Sequence, residues 1–266
     1  MIRKLKGKFL AMVPNGLSNY LKQHKKLAVA FSGGVDSAYL LYAAKICGVE
    51  VAAYFVKTEF QPEFELMDAV FFSKQYDIDL RIIRLSVLGE PDITKNSSDR
   101  CYHCKKVIFK SILKACLKDG FLLLADGSNF DDKAEERPGM RAISELNVIS
   151  PLRDCRLTKL QIRRYSKSAG LFTFDKPSYS CLATRIMNNA KISYDKLRLI
   201  DSVEQSLFSM GFSDFRARLY GDGLLLQFTD EQLPYAKADI PYIRENLMAY
   251  STDITIDDTP RKGLTL

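Results

Sequence analysis

The sequence predicts an α/β protein: a parallel five-stranded sheet with its helices over residues 1–188, then a smaller α+β domain over 189–266. Three observations carry that expectation. Short apolar runs (Leu27–Phe31, Val49–Val56, Asp79–Leu85 and Phe121–Ala125) alternate with helix-length segments, and a shorter run at Asn147–Ile149 adds a fifth strand. Strands separated by helical patterns of about 10–15 residues describe a parallel sheet with right-handed crossovers. Beyond Ser193 the pattern changes to one long helix, about 194–210, and two alternating runs around Gly221-Asp222-Gly223, a hairpin signal.

The elements follow in order. Residues 3–24 show helical spacing, broken near Pro14-Asn15-Gly16. Gly48 ends the helix after the first strand, and Pro62 opens another to about Tyr76. Gly89 to Arg100 is polar and turn-rich, so a surface loop is expected, closed by Cys101-Tyr102-His103-Cys104 before a helix from Lys105 to Leu117. Asp126-Gly127-Ser128-Asn129 follows the fourth strand, at the strand end where open α/β sheets bind ligands. Thr158 reads as the N-cap of a helix over 159–168. Asp175 to Arg185 matches no regular element, and the domain boundary falls just after it. A helix from Pro241 to Tyr250 and a strand near Ile254–Ile256 complete the second domain.

The apolar share of 47% and charged share of 27% are those of a soluble globular protein. No apolar run approaches the roughly 20 residues of a membrane helix, so no membrane partner is expected. The basic start Met1 to Lys6 meets Pro14, Asn15 and Gly16 too early for a secretory signal, and a cytoplasmic location is expected. A net charge of +7 fits an anionic partner (nucleotide, phosphorylated metabolite or RNA) without ranking them. Six cysteines in such a chain argue against a disulfide framework. Cys47 and Cys116 fall in helical patterns as small buried thiols, and Cys155 is given no role.

The chain is organised around Ser32-Gly33-Gly34-Val35-Asp36-Ser37, between the first strand and its helix. A strand entering a glycine turn that opens a helix presents backbone N–H groups and a helix N-terminus to an anion. The two glycines let the main chain approach phosphate oxygens, Ser32 and Ser37 add hydroxyls, and Asp36 is placed to hold a cation. The lysine and spacing of the G-x-x-x-x-G-K-[ST] loop are missing. The segment instead resembles the loop of the PP-loop ATP pyrophosphatases, whose fold is adenine nucleotide α-hydrolase-like and which split ATP between its α and β phosphates.

Cys101 and Cys104 form a C-x-x-C, which alone suits a redox pair, half a zinc site or half a cluster site. Structural zinc takes four protein ligands. Cys181 is a third thiol, about 80 residues on, and three cysteines leave one iron of a four-iron cluster open to an exogenous group.

Asp99 to Lys105, Asp126-Gly127-Ser128-Asn129 with Asp131 and Asp132, Arg137-Pro138-Gly139-Met140-Arg141, Ser150-Pro151-Leu152, and Lys176-Pro177 with Cys181 to Arg185 together resemble the LarE family. That resemblance implies an ATP-dependent sulfur transferase of nickel-pincer cofactor synthesis. A carboxylate of pyridinium-3,5-biscarboxylate mononucleotide is adenylated, and a sulfur nucleophile then displaces AMP to leave a thiocarboxylate. It implies ATP, Mg²⁺ and a [4Fe–4S] cluster as cofactors, with Cys101, Cys104 and Cys181 as cluster ligands. Cys181 and Asp36 are the expected catalytic residues, and Asp36 with Asp132 the magnesium ligands. Phe55, Val56 and Lys57 resemble the segment along adenosine, and Thr184, Arg185, Glu204, Arg216 and Arg218 the substrate-phosphate site. Arg216 and Arg218, two apart on a strand, point to one face. One branch of the family sacrifices a cysteine one residue before the position of Cys181; this chain has Ser180 there, which favours the cluster branch. A sulfide donor and a homo-oligomer, assembled through the C-terminal domain, are also expected.

Three readings compete. A PP-loop tRNA thiolase also combines such a loop with three cysteines, and +7 suits RNA; without further C-x-x-C ribbons, a nucleic-acid partner is not expected. AMP-forming synthetases of the NAD or GMP type share the loop without needing the cysteines. A non-catalytic nucleotide- or cluster-binding module would have no need of an intact Ser32, Asp36 and Ser37.

Overall fold

The first strand alternates faces along its length. In β1 (Lys26–Ala30), Leu27 and Val29 point to one side of the sheet and Ala28 to the other, and both sides are buried. A strand covered on both faces sits at the centre of a parallel sheet. A computed structural model describes residues 12–132 and 138–262; residues 3–11 of the expected first helix, and Arg137, lie outside the described residues.

The chain enters through α1 (Asn15–Leu21), which Pro14 precedes, so the expected break is where this helix begins. Then come β1, α2 (Val35–Ile46), β2 (Glu50–Lys57), α3 (Glu63–Gln75), β3 (Asp79–Arg84), α4 (Pro91–Thr94), α5 (Arg100–Lys118) and β4 (Leu124–Ala125). The sheet order is β3-β2-β1-β4, with every pairing parallel. Leu40, Leu41, Phe72, Leu152 and Ile162 pack on one face, and Phe109, Ile112, Phe121, Met140 and Ile143 on the other.

The fifth strand is not formed as expected. Ile149 makes one parallel bridge with Ala125, its amide donating to Leu124 O and its carbonyl accepting from Asp126 N. Asn147, with φ 53°, turns the chain into this stretch, and Ser150-Pro151 starts a helical turn directly after it, so no length remains to extend the ladder. Three helices frame the bridge: α6 (Pro138–Glu145), α7 (Pro151–Asp154) and α8 (Lys159–Ser168).

The remainder comprises α9 (Tyr194–Ser209), β5 (Phe215–Tyr220), β6 (Gly223–Phe228), α10 (Leu233–Ala238), α11 (Ile240–Leu247) and β7 (Ile254–Ile256). β5 and β6 form the expected antiparallel hairpin, with Gly221 (φ 58°) and Asp222 as its turn and Gly223 already in β6, and β7 runs parallel to β6. Across the expected boundary at 188 runs an apolar seam: Ile192, Leu197 and Ile200 pack with Phe60, Val87, Leu182 and Ile186. Among the described residues no helix is long and apolar enough to cross a membrane.

Candidate active site

The phosphate loop follows from local rules. Gly33 has φ 75°, and Gly34, extended, leads into α2. Ser32 Oγ and Ser37 Oγ lie 3.2 Å apart, Gly34 N donates to Ser32 Oγ, and Ser37 Oγ donates to Gly34 O at 3.2 Å. The end of β4 closes over this turn: a Cβ on Gly127 would lie 2.8 Å from Ser37 N. Only glycine allows that approach. Asp126 next to it accepts from Ser150 Oγ at 2.7 Å and from Ser128 Oγ.

Asp36, in the first turn of α2, is held by Lys159 Nζ and by Asn129 Nδ2 at 3.4 Å. Burial raises its carboxyl above the usual range, Lys159 and Asn129 pull it down, and the Asp132 charge pushes it up. Lys159 lies outside the site residues that the sequence predicts. The readable signal is its place as the first residue of a helix capped by Thr158, which aims it at the sheet's ligand edge.

Cys101 and Cys104 sit in the first two turns of α5, which begins at Arg100 and so earlier than the spacing predicts. The preceding segment is not a simple surface loop. Asn96 and Arg100 are buried, because their polar groups bind main-chain carbonyls of the segment that carries Cys181. Asn96 Nδ2 donates to Met187 O at 2.8 Å, and Arg100 Nη1 donates to Ala183 O at 3.1 Å.

Residues 174–187, the Cys181 segment, contain only two short turns of 3-10 helix. Buried guanidinium groups hold the main chain here. Arg163 donates to Phe174 O at 2.6 Å and Lys176 O at 3.1 Å, and Arg216 to Ser178 O. Arg185 donates to Ser180 O at 2.6 Å and Cys181 O at 3.2 Å, and Arg218 to Thr184 O at 2.7 Å. Lys176 Nζ ties the segment to the phosphate loop, donating to Gly33 O at 3.2 Å and pairing with Asp68 at 2.6 Å.

The expected substrate-phosphate residues therefore gather, and three of them, Arg185, Glu204 and Thr184, bond to one another or to the Cys181 segment. Arg185 and Glu204 form a fully buried pair, Nε to Oε1 at 2.9 Å and Nη2 to Oε2 at 3.2 Å. Glu204 also accepts from Ala217 N at 3.0 Å and from the Tyr179 hydroxyl, and Thr184 Oγ1 donates to Cys181 O at 2.8 Å. Arg185, Glu204 and Thr184 are committed to internal partners in this structure, because the irregular chain around Cys181 needs its carbonyls satisfied. Arg216 and Arg218 extend to one side, as the strand period requires, and their pKa values are lowered by burial first and by Arg185 and Arg261 next, Arg216 to about 10. This surplus of positive charge favours an anion. Tyr179 lies between two of these cations, 4.4 Å from the Arg185 guanidinium and 5.2 Å from that of Arg216.

One cavity of about 440 Å³ joins the pieces. Its wall includes Ser32, Asp36 and Ser37, then Phe55 and Val56, then Cys101, Cys104 and Cys181, with Asp132 nearby. Lys57 lies off this wall, its Nζ engaged with Gln61 O and with Glu63 at 3.4 Å. Cys101 is exposed, while burial pushes the Cys104 thiol up to about 12 and raises that of Cys181. Arg100 opposes both shifts, and its Nη2 lies 3.8 Å from Cys101 Sγ. Among the described residues no three His, Cys, Asp or Glu side chains are grouped closely enough to hold a single metal ion. Among the described residues the donor set is three thiols facing one space, which suits a larger group with an open position better than four-ligand structural zinc.

No family model matches the chain. It is 33% identical over 219 residues to an uncharacterised protein of Methanocaldococcus jannaschii, covering 81% of this chain and 83% of the relative. It is 26% identical over 204 residues to the pyridinium-3,5-bisthiocarboxylic acid mononucleotide synthase of Lactiplantibacillus plantarum, covering 76% and 74%. Similarity to a tRNA-specific 2-thiouridylase of Pseudothermotoga lettingae is more partial, 25% over 190 residues, with 57% and 54% covered.

Proposed function

We propose, from the premise that the chain belongs to one family with the uncharacterised Methanocaldococcus jannaschii protein, that it is a PP-loop enzyme of the LarE type, an ATP-dependent sulfur transferase. Its substrate is pyridinium-3,5-biscarboxylate mononucleotide, and its product the thiocarboxylate used for a nickel-pincer cofactor. One observation carries the reading: the phosphate loop and all three candidate thiols line the same cavity. Similarity to a bisthiocarboxylate synthase and a thiouridylase supports sulfur chemistry, and the greater coverage of the synthase favours the small-molecule substrate over tRNA.

The residues divide the work between the cavity and the arginine cluster beside it, which does not line the cavity but packs against its wall residue Tyr179. The N–H groups at the start of α2, with Ser32 and Ser37, receive the pyrophosphate oxygens. Asp36 and Asp132 would hold magnesium, which would neutralise charge on the pyrophosphate, and Lys159, paired with Asp36, adds a cation beside the phosphates. Phe55 and Val56 lie along the adenosine. This arrangement stabilises pyrophosphate as it leaves and turns a substrate carboxylate into an acyl-adenylate. Arg216 and Arg218 attract the substrate phosphate, while Arg185, Glu204 and Thr184 fix the Cys181 segment. A [4Fe–4S] cluster held by Cys101, Cys104 and Cys181, whose donor set fits it, would supply the sulfur nucleophile through its open iron. The cation of Arg100 beside these thiols favours their thiolate form. Exposed Tyr235, Tyr242 and Met248 on the C-terminal part suit self-association, and an external sulfide donor completes the cycle.

The test is pyrophosphate release in the presence of the carboxylated pyridinium nucleotide, compared with release in the presence of tRNA. Release stimulated by the nucleotide, with replacement of one oxygen by sulfur in the product mass, is the expected result. Stimulation by tRNA alone overturns it. Iron and acid-labile sulfide analysis of anaerobic protein, expected at about four irons per chain, tests the cluster separately.

A further inference from the structure

Glu65 stands in the first turn of α3, and its side chain lines the cavity with Ser32, Gln61, Tyr179 and Cys181. It is also anchored against the phosphate loop: a Cβ on Gly33 would lie 3.3 Å from Glu65 O. Other acids around the site have partners. Asp36 has Lys159, Asp126 has Ser128 and Ser150, Asp68 has Lys176, and Glu204 has Arg185. Among the described residues no group hydrogen-bonds or ion-pairs with the Glu65 carboxylate.

The charges around it come from several elements. Lys176 and Arg185 from the Cys181 segment and Lys57 from β2 favour the ionised form; Asp68 on α3 opposes it, and the Tyr179 phenol faces it. Burial outweighs the cations and pushes the carboxyl up to about 7. A carboxylate that lines the space between a phosphate loop and a sulfur site, without a hydrogen-bond or ion-pair partner among the described residues and poised near neutrality, is matched to proton transfer.

From this placement we infer that Glu65 accepts the proton lost by the sulfur nucleophile when it displaces AMP. The inference rests on the adenylation-and-sulfur-transfer reading above. With hydrosulfide ion as nucleophile, a sulfur lone pair forms the C–S bond and the S–H proton passes to Glu65. The acyl C–O bond breaks with its electron pair left on AMP. Acyl-adenylate, hydrosulfide and carboxylate thus become thiocarboxylate, AMP and a neutral Glu65.

The experiment compares the full chain with Glu65→Gln and Glu65→Asp, anaerobically, with ATP, Mg²⁺, the carboxylated pyridinium nucleotide and inorganic sulfide. Substrate-dependent ATP–pyrophosphate exchange reads the adenylation half, and thiocarboxylate formation reads the sulfur half. With the hydrosulfide concentration, rather than total sulfide, held constant across the pH series, Glu65→Gln is expected to lower the sulfur-half kcat by about 100-fold relative to exchange, within the usual range for a lost general base, and to abolish the acid limb near pH 7. Glu65→Asp keeps that limb at a reduced rate. A Glu65→Gln enzyme that retains the limb, or that changes only KM, overturns the inference and leaves the proposed function standing. Wild-type chain that gives no substrate-dependent exchange overturns both.

Melting temperature against pH supplies a reading independent of turnover. A carboxyl with a raised folded pKa stabilises the fold below its usual range and loses that contribution as pH rises through about 7. The wild type should show this loss and Glu65→Gln should not; identical profiles overturn the assignment.

Discussion

The phosphate loop and the Cys181 segment line one cavity, yet they are held by opposite means. Residues 32–37 are fixed by their neighbours: a strand before, a helix after, one glycine at positive φ and serine hydroxyls bonding within the loop. Residues 174–187 have almost no local order, and Arg100, Arg163, Arg185, Arg216 and Arg218 hold their carbonyls, some from far along the chain. A loop built locally keeps its shape when distant residues change. A segment built by distant side chains fails when any of them is lost.

The largest effect should come from the segment's deepest support. Arg185→Met leaves Glu204 buried without its cation, and such a loss costs about 3–5 kcal/mol. Urea denaturation should show it, with Arg185→Met/Glu204→Leu recovering a substantial part. A loss within about 0.5 kcal/mol, the range of ordinary surface substitutions, would mean that the segment does not depend on this pair.

A smaller loss is expected in the phosphate loop. Gly127→Ala places a methyl 2.8 Å from Ser37 N, and the backbone has to shift. Overpacking of this kind costs about 1–3 kcal/mol, and ATP affinity should fall with it. Unchanged ATP binding by calorimetry would show that β4 does not set the loop's shape.

Lys159→Met removes the cation beside Asp36 while leaving the loop backbone alone. Burial then acts on Asp36 with less opposition, so its carboxyl rises further and the ionised, metal-binding form requires a higher pH. The acid limb of pyrophosphate release should move to higher pH, and the rate along that limb should fall. An unmoved limb would separate Lys159 from Asp36.

The same contrast explains what was legible in the sequence. The parallel α/β class, the hairpin at Gly221, the capped helix at Lys159 and the phosphate loop all rest on patterns within about ten residues, where propensity and spacing decide. The three cysteines were readable as candidates, and the structure brings them onto one cavity wall. The role of the arginines was not readable, because arginine in a sequence looks like surface charge. Arg163 and Arg216 are buried where an irregular segment elsewhere in the chain offers them carbonyls, and Arg185, within that segment, is buried against Glu204 and its own carbonyls. The same blindness to distant partners turned buried Asn96 and Arg100 into an expected surface loop. The fifth strand failed for the opposite reason: its apolar residues are real, but Asn147 and Pro151 leave one bridge between them. Glu65 carried no sequence signal, since one more acid at a helix start reads as a favourable charge near the dipole.

Helix α8 joins the two regimes, and its cap gives the mildest test. Thr158 accepts from Gln161 N at 3.3 Å, while Gln161 Oε1 accepts from Thr158 N at 2.9 Å, a reciprocal box set by adjacent sequence. The helix it starts sends Lys159 to Asp36 and Arg163 to the carbonyls of Phe174 and Lys176, so one local device supports both walls of the cavity. Thr158→Ala should cost about 1 kcal/mol of global stability, the usual worth of such a cap. The more telling measurement is amide exchange. If the contrast holds, faster exchange should spread from the first turn of α8 into 174–176, which leans on Arg163, and leave 34–37 unchanged, because those amides are set by their own turn. Equal acceleration in both would mean that the phosphate loop also depends on α8 for its shape.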